Sequence, residues 1–568
     1  MNAAHDTGNG TAAIRAWRAG RLRNAAAIAL VVLLLPRFLW SWGATSAFDP
    51  SPDAPWPARS LLAVEAWPAA DLPYDKYPEG WHLVAGMAEH LARAFWLTAA
   101  ESAHVDAARQ QLASEVAAHA GRTDFDPSSR FVTLAAGHET AHWKLVIAGR
   151  CATLVLLVLL LAAAGELALA AAGPRFGWVG VVALAAQPAI VHYGTTLNTD
   201  VPALAWSALS WALLVAGRTP PDARRVVLAG MALGLAAATK DQFAAMAPGI
   251  AWFAWRRGAG RAAGRLPRLG WLALGGALAY VAASGWINGG GGVLPGRTFR
   301  DHVAHLFGAG SQPFREHTLS PSGLLGLLDD TGERLLTAAG VIATAGLFLL
   351  PLFVVLRRRW RALAWLLPAL TYFALFLAPA GYVYPRFTLP LCLSAAIGLA
   401  WGLAHAQGAR TRQRVVVAAL ALAFAAAEAS QVVDARRADV RPAAVAALAE
   451  RRAQAAATLP AGAAPELCWV ASEPWLHAPF PPIAAPARYA TLAELGAAVK
   501  RGEPVARWLW LAVDPHGAIG DPGWIATIEK KLRMKLAVAF DPAPRGRLAN
   551  DPAGILLPKV FLFERAAD

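Results

Sequence analysis

The chain has 568 residues, of which 56% are hydrophobic and only 16% are charged, and its formal net charge is +14. Soluble domains carry about 25% charged residues, so this composition excludes an ordinary soluble fold. A strongly basic chain can bind nucleic acid, but here the arginines cluster between long apolar segments, without an interleaved aromatic and basic surface. That distribution is typical of a multi-pass membrane protein, and we predict no nucleic-acid partner.

Apolar segments of roughly the length that crosses a bilayer recur along the first three quarters of the chain. About eleven of them are predicted to be membrane-spanning helices. They lie near residues 24–43, 144–172, 177–191, 201–217, 226–239, 242–255, 269–287, 335–356, 361–379, 387–405 and 414–431. Some are short, and two pairs are predicted to meet at polar vertices, one between Pro188 and Pro202 and one between Thr239 and Gln242.

The charges of the connecting segments predict an orientation. The N-terminus and every second connection after it are basic, and together they hold 20 basic residues against two acidic ones, Asp6 and Asp222. By the positive-inside rule these segments are cytoplasmic. The protein is therefore predicted to lie in the cytoplasmic (inner) membrane with its remaining connections outside.

Two parts of the chain are predicted from this pattern. Residues 1–431 are expected to form an all-α polytopic membrane bundle with two large external loops, 44–142 and 288–334. After residue 431 the long apolar runs stop, and segments such as Arg507–Val513 have the pattern of strands. With an amphipathic stretch at Thr491–Lys500, residues 432–568 are predicted to form a small α/β domain on the periplasmic or extracellular face.

The first external loop carries candidate catalytic groups. Asp49 and Asp53 follow the first span closely, and Lys76 and Tyr77 stand further along the loop. A carboxylate held at a membrane surface can act as a general base for an acceptor hydroxyl. The alternative is that each Asp is a solvated loop residue or a helix cap.

The first polar vertex contains His192, Tyr193, Asn198 and Asp200 and has no Lys or Arg. Polar groups between membrane helices are costly and usually line a cavity. The alternative is a capping role, because Asp is favoured at a helix start and Pro202 would be tolerated in the first turn. Both interpretations stay open at this point.

Two cations complete the set of candidates. Lys240 follows an apolar helix, where it could simply favour the negative end of the helix dipole. Arg386, next to Tyr384, opens a span and so lies at the positive end, which suggests an anionic ligand such as phosphate. The alternative is an interfacial arginine that reaches the lipid headgroups. His302, His305 and His317 have irregular spacing, so no metal site is predicted from them.

The order of these motifs resembles the GT-C superfamily of membrane glycosyltransferases, in particular its protein O-mannosyltransferase and aminoarabinose-transferase-like branch. The resemblance covers roughly residues 20–431. It is carried by the loop acids, the Lys-Tyr-Pro element at 76–78, the His-Tyr…Asn-Thr-Asp-Val-Pro segment at 192–202, Thr-Lys-Asp-Gln at 239–242 and Tyr-Pro-Arg-Phe-Thr-Leu-Pro-Leu at 384–391.

This resemblance implies a GT-C helical bundle with amphipathic helices in the first external loop. It also implies a polyprenyl-phosphate sugar as donor and transfer at the external membrane face. Asp53 or Asp49 would match the family's proposed catalytic base, and Asp200 its second acid. Lys76, Lys240 and Arg386 would hold the lipid phosphate.

The sequence departs from the family at the first-loop acid. That acid is often an adjacent Asp-Glu pair, whereas here Ala54 follows Asp53. The departure leaves open which Asp is catalytic and whether a divalent metal ion is bound. The sugar and the acceptor, which could be a protein, a lipid or a polysaccharide, leave no mark in the sequence.

Two alternatives to an enzyme are considered. A transporter or flippase of a lipid-linked or amphipathic solute would carry charged residues deep within spans on both membrane halves. Here the charged groups crowd the predicted external side, with Glu166 a lone polar residue at the other end of its span, and no internal repeat is evident. A non-catalytic scaffold would have no need of Asp53, Asp200 or Arg386. The pattern therefore favours the glycosyltransferase.

Overall fold

The computed structural model describes most of the predicted bundle and parts of the C-terminal region. The described residues are 7–40, 80–118, 139–217, 220–257, 265–284, 315–356, 358, 360–406, 411–437, 440–456, 467–471, 487–491, 500, 507–513, 522–542 and 559–565. They divide into two compact units. Described residues within 7–39, 80–84 and 151–432 belong to the first unit, and those within 85–150 and 433–565 to the second.

Helices dominate the described residues. In chain order they are α1 Thr7–Trp40, α2 Gly80–Phe95, α3 Ala99–Ala118, α4 Glu139–Ala172, α5 Gly177–Ala185, α6 Pro188–Gly194, α7 Asp200–Val215, α8 Ala223–Thr239, α9 Ala247–Arg256, α10 Leu266–Ala283, α11 Pro321–Leu356, α12 Trp360–Ala380, α13 Pro385–His405, α14 Thr411–Arg437, α15 Arg441–Ala456 and α16 Pro522–Leu532.

Six helices in the described part of the chain are long and apolar enough to cross a membrane. They are Lys144–Ala172, Leu266–Ala283, Pro321–Leu352, Trp360–Ala380, Pro385–His405 and Val415–Asp434. A seventh apolar helix, Asp200–Val215, is shorter. The predicted mostly helical fold with a small sheet is confirmed, and by length and composition its apolar helices suit a multi-pass membrane protein. The count of about eleven spans stays a prediction.

Short helices produce both predicted vertices. Gln187 has an extended backbone before Pro188, as expected of a residue that precedes proline, so α5 ends and α6 begins there. The polar stretch after α6 then leads into α7 at Asp200. Likewise, α8 ends at Thr239, Lys240 is extended, and a single 3-10 segment, Asp241–Met246, leads into α9.

Small residues let α8 and α10 cross closely in the first unit. A Cβ atom added at Gly230 would collide with the carbonyl oxygen of Leu272, and one added at Gly234 with that of Gly276. Glycines four residues apart on one helix face are the usual means of such close contact in membranes. This packing fixes α8, whose end carries Lys240.

A Gly-linked kink interrupts α11 within its apolar stretch. Gly340 has φ +76°, a left-handed conformation that favours glycine, and the helix bends there. The backbone N–H of Val341 donates to Glu428 Oε1 of α14 at 3.2 Å. A carboxylate thus satisfies a backbone group that the kink leaves without a helical partner.

The second unit contains a five-stranded sheet of order β2-β1-β3-β5-β4. The strands are β1 Leu467–Ala471, β2 Ala487–Thr491, β3 Trp508–Val513, β4 Met534–Phe540 and β5 Lys559–Arg565. β1 runs parallel to β2 and β3, whereas β5 is antiparallel to β3 and β4. Except for Thr491 and Lys500, the amphipathic stretch predicted at 491–500 lies outside the described residues.

The central strand β3 is buried on both faces. Trp508, Trp510 and Ala512 pack with residues of α15, and the side chains between them pack with residues of α16. Sheets covered by helices on both faces have strands that read as continuous apolar runs. The strand predicted at 507–513 is therefore present.

Helices α2 and α3 of the second unit lie in the predicted first external loop. Thr98 and Glu101 form a capping box at the start of α3: Thr98 N–H donates to Glu101 Oε2 at 2.8 Å, and Glu101 N–H to Thr98 Oγ1 at 3.3 Å. An apolar cluster joins both helices to the first turns of α4. The loop predicted as external therefore contains two helices in its described part, α2 and α3.

Candidate active site

The structure separates the predicted site residues into two groups. Asp49, Asp53, Lys76 and Tyr77 lie outside the described residues. The other seven belong to the first unit: His192, Tyr193, Asn198, Asp200, Lys240, Tyr384 and Arg386. The geometry below concerns this second group.

Asp200 and Lys240 form a buried ion pair. Lys240 Nζ donates to Asp200 Oδ1 at 2.7 Å, and Gln242 Nε2 donates to the same oxygen at 3.2 Å. The side chains of Asp200 and Lys240 are 0% and 3% exposed. The carboxylate of Asp200 therefore bonds Lys240 and Gln242, so helix capping alone does not describe Asp200. Nor does the helix dipole alone describe Lys240, because its ammonium group is paired with Asp200.

The neighbours of Asp200 leave several buried polar atoms available. Asn198 Oδ1 accepts the backbone N–H of Asp200 at 2.7 Å, which fixes the turn into α7. Among the described residues, no hydrogen-bond partner is present for Asp200 Oδ2, Asn198 Nδ2, Thr196 Oγ1 or Thr199 Oγ1. A buried polar atom without a hydrogen-bond partner lowers the free energy of unfolding by about 1–3 kcal/mol. A polar ligand or water bound beside Asp200 would satisfy them.

The start of α13 supplies a second cation and an aromatic wall. The Arg386 guanidinium lies 5.0 Å from the ring centre of Tyr384 and 5.6 Å from that of Phe387. Lys240 Nζ lies 5.8 Å from the same Phe387 ring. One phenyl ring therefore contacts both cations. Arg386 is half-buried, so it is more accessible than the buried pair.

His192 and Tyr193 are fully buried in α6, with their rings edge to face at 4.7 Å. Helix α6 packs against α7, against α11 and against the first turn of α13, Pro385–Thr388, which carries Arg386. The described segments of the predicted site are therefore neighbours in the fold. We define the polar vertex as residues 192–200, 239–242 and 384–387.

Two residues at the polar vertex or beside it are not among the site residues predicted from the sequence. Gln242 shares Asp200 Oδ1 with Lys240, although in the sequence it is only the last residue of the Thr-Lys-Asp-Gln segment. Tyr372 has a buried hydroxyl that finds no partner in the described part of the chain. Its ring is 5.8 Å from Phe243 and 5.2 Å from Phe376. An aromatic residue within an apolar span gives no signal in a single sequence.

The described residues also bring together one group with metal-ligand chemistry. Glu316, His317 and Asp330 place a ligand atom each within 4.8 Å of one another. The sequence predicts no metal site at His317, because the spacing of His302, His305 and His317 is irregular. Those two histidines lie outside the described residues.

The resulting arrangement suits an anionic, partly apolar ligand. The polar vertex contains two cations, one buried carboxylate and several buried polar atoms. Aromatic rings contact both cations. Arginine can bind phosphate through two parallel hydrogen bonds. In surroundings that exclude water such contacts are stronger than in solution.

The known proteins that resemble this chain share little sequence identity with it. No protein-family model matches the chain, and no curated protein sequence does either. Among solved structures, it is similar to ArnT from Cupriavidus metallidurans, bound to undecaprenyl phosphate, with 15% identity, a TM-score of 0.45 and coverage of 95% of this chain and 98% of that chain. The apo state of ArnT gives 14% identity, a TM-score of 0.48 and coverage of 94% and 98%.

Two further structures are similar in part. An oligosaccharyltransferase from Archaeoglobus fulgidus shows 13% identity and a TM-score of 0.40 over 73% of this chain and 56% of that chain. The arabinofuranosyltransferase AftD from Mycobacteria shows 14% identity and a TM-score of 0.36 over 96% and 40%. These proteins are GT-C glycosyltransferases, the class that the motif order resembles. At such identities and TM-scores the likeness assigns no activity to this chain.

Proposed function

We propose that this chain is a glycosyltransferase that moves a sugar from a polyprenyl-phosphate donor to an acceptor at the external face of the cytoplasmic membrane. One observation carries the proposal: the buried Asp200–Lys240 pair, whose second carboxylate oxygen and neighbouring hydroxyls have no partner among the described residues. A sugar hydroxyl could donate to the second oxygen of Asp200, while Lys240 and Arg386 supply positive charge for a phosphate.

The reaction needs positive charge at the leaving group. As the acceptor oxygen forms its bond to the anomeric carbon, the carbon–oxygen bond to the phosphate breaks and the electron pair passes to the phosphate. Lys240 and Arg386 stabilise that developing charge. In this proposal the hydrogen bond to Asp200 Oδ1 keeps Lys240 Nζ in place.

The acceptor hydroxyl also has to lose a proton. Asp53 or Asp49, in the first external loop, is the proposed base. Both lie outside the described residues, so their assignment rests on the sequence resemblance alone. The acceptor itself, a protein, a lipid or a polysaccharide, is left to experiment.

The test is donor consumption by purified protein in nanodiscs. A panel of radiolabelled polyprenyl-phosphate sugars is supplied with native membrane acceptors, and wild type is compared with Asp49→Asn, Asp53→Asn, Asp200→Asn and Arg386→Ala. Arg21→Gln serves as the control, because Arg21 pairs with Glu166 and has no part in the proposed site. We expect turnover in wild type and the control, and a loss of about 100-fold or more in Arg386→Ala and in one first-loop variant.

Failure to consume any donor, by folded protein with acceptors present, would contradict the transferase. Transport of the same lipids into sealed vesicles would then test the remaining alternative, a transporter or flippase. If all four site variants keep their turnover, the active site lies outside the polar vertex and does not use Asp49 or Asp53.

A further inference from the structure

Glu316, His317 and Asp330 form a compact group where the chain enters α11. His317 Nε2 lies 2.6 Å from Asp330 Oδ2, and one ligand atom of each residue lies within 4.8 Å of the others. His317 and Asp330 are 21% and 34% exposed, and Glu316 is exposed. The group is therefore accessible to solvent, unlike the Asp200–Lys240 pair.

The backbone around His317 is held in place by its neighbours. The N–H groups of Glu316 and His317 both donate to the carbonyl oxygen of Gly381, at 3.0 and 2.8 Å. Arg315 Nε donates to the carbonyl oxygen of His317 at 3.1 Å, so its guanidinium bonds the backbone there. Gly381 has φ +71°, a conformation that glycine adopts readily.

The imidazole of His317 lies directly against α11. A Cβ atom at Gly326 would stand 2.9 Å from both Cε1 and Nδ1 of the ring, closer than such contacts normally allow. A glycine at this position therefore leaves the space that the ring occupies. The ring consequently presents Nε2 to Asp330 from a defined position.

The ligand set suits a divalent cation. Imidazole nitrogen binds Zn²⁺, and carboxylate oxygens bind Mg²⁺ and Mn²⁺ as well as Zn²⁺. Ligands bonded at about 2.1 Å stand about 3 Å apart at right angles around an ion. The His317–Asp330 separation is a hydrogen-bond distance, so an ion would take the place of the shared proton after an opening of about half an ångström.

We propose that Glu316, His317 and Asp330 bind one divalent cation, with water in its remaining coordination positions. The ion fastens residues 315–318 to α11. Because the same backbone bonds Gly381, it also steadies the turn that leads to Tyr384 and Arg386. The importance of this second effect for Arg386 rests on the proposed function, whereas the binding of the ion does not.

Metal titration of the full chain in detergent tests the proposal. The protein is first stripped with a chelator and then titrated with Mn²⁺, followed by electron paramagnetic resonance, and with Zn²⁺ against a chromophoric chelator. We expect one ion per chain, and affinity at least about tenfold weaker in His317→Ala and Asp330→Asn.

A matched control is available beside the site. Asp329 is exposed, adjacent to Asp330 and not part of the group, so Asp329→Asn should bind the ion as wild type does. Glu316→Gln changes an exposed side chain and tests the site even if Asp330→Asn fails to fold. It should weaken binding with an unchanged elution profile.

Two results would overturn the proposal. One is wild-type binding no tighter than that of His317→Ala, which would make the group a hydrogen-bonded His–Asp pair. The other is an equal loss in Asp329→Asn, which would indicate unspecific binding to acidic residues. Neither measurement needs a sugar donor, so the outcome is distinguishable from failure of the proposed transferase.

Discussion

Two ion pairs in the first unit have nearly the same length and very different surroundings. Arg21 Nε lies 2.8 Å from Glu166 Oε1, and Lys240 Nζ lies 2.7 Å from Asp200 Oδ1. The Arg21 and Glu166 side chains are 52% and 24% exposed, whereas those of Lys240 and Asp200 are 3% and 0% exposed. Distance alone therefore does not identify a functional pair.

The exposed pair has a structural role. Next to it, Asn24 Nδ2 donates to the carbonyl oxygen of Gly165 at 2.8 Å, so both contacts join α1 to α4. Glu166, interpreted from the sequence as a lone polar residue in its span, therefore has a defined partner. Such pairs contribute about 0–1 kcal/mol.

For the buried pair, the cost of desolvation has to be weighed against the attraction between the two charges. Removing two charges from water costs several kcal/mol per ion, and their attraction offsets this only with good geometry and further hydrogen bonds. Only one oxygen of Asp200 has such bonds among the described residues. Because such a pair is costly among membrane helices, it supports the role proposed for Asp200 and Lys240.

The largest expected effect follows from Asp200→Asn. It leaves the Lys240 ammonium buried without its counter-charge, which should lower the free energy of unfolding by about 3–5 kcal/mol and abolish donor turnover. The double variant Asp200→Leu/Lys240→Met removes both charges and should recover most of the stability without any turnover. Thermal unfolding in detergent and donor consumption measure the two effects. Turnover by the double variant would make the pair purely structural.

A buried acid without a partner sharpens the comparison. Glu89 of α2 is fully buried, neither of its oxygens has a partner among the described residues, and burial raises its pKa well above the usual value. Its contribution to stability is fully present below the unfolded-state pKa of about 4.3 and is lost as pH rises through the raised folded-state value. We therefore expect α2 to be less protected from hydrogen exchange at pH 7.5 than at pH 5.

Glu89→Met should remove that pH dependence and raise local stability by about 1–3 kcal/mol at neutral pH. Glu101 of α3 is the contrasting control. The hydrogen bond from Lys144 lowers its pKa, so its contribution is present above the unfolded value and is lost as pH falls through the folded one. Equal pH profiles for Glu89→Met and wild type would contradict the account of Glu89.

The smallest effect is expected from Glu166→Gln. Arg21 stays half-exposed and can be solvated, so the free energy of unfolding should fall by no more than about 1 kcal/mol and donor turnover should be unchanged. Thermal unfolding and turnover, measured beside Asp200→Asn, check this. A loss of stability and turnover as large as that of Asp200→Asn would contradict the different roles assigned to the two pairs.

The sequence predicted the separate parts of the polar vertex better than their contacts. Asp200, Lys240 and Arg386 were identified because polar groups interrupt apolar runs there. Their pairing was not predicted, although its cause is simple in retrospect: α7 begins at Asp200 and the next helix, α8, ends just before Lys240. Two packed helices that are consecutive and antiparallel place those positions at the same end.

Other features depend on contacts that no local pattern records. The approach of His317 to Asp330 depends on the chain's path into α11 and on the glycine opposite the ring, so residue spacing gave no indication of it. The burial of Tyr372 depends on neighbours from other helices. By contrast, the capping box at Thr98 is readable, because it depends only on residues three apart.

The most direct test of the polar vertex is equilibrium binding of radiolabelled polyprenyl phosphate to the protein in nanodiscs. The account predicts saturable binding that weakens by about tenfold or more in Arg386→Ala, since a charge-assisted hydrogen bond contributes about 1.5–3 kcal/mol, while Arg21→Gln binds as wild type does. Equal affinities in all three proteins, or no saturable binding by folded wild type, would contradict the assignment of the vertex as a lipid-phosphate site.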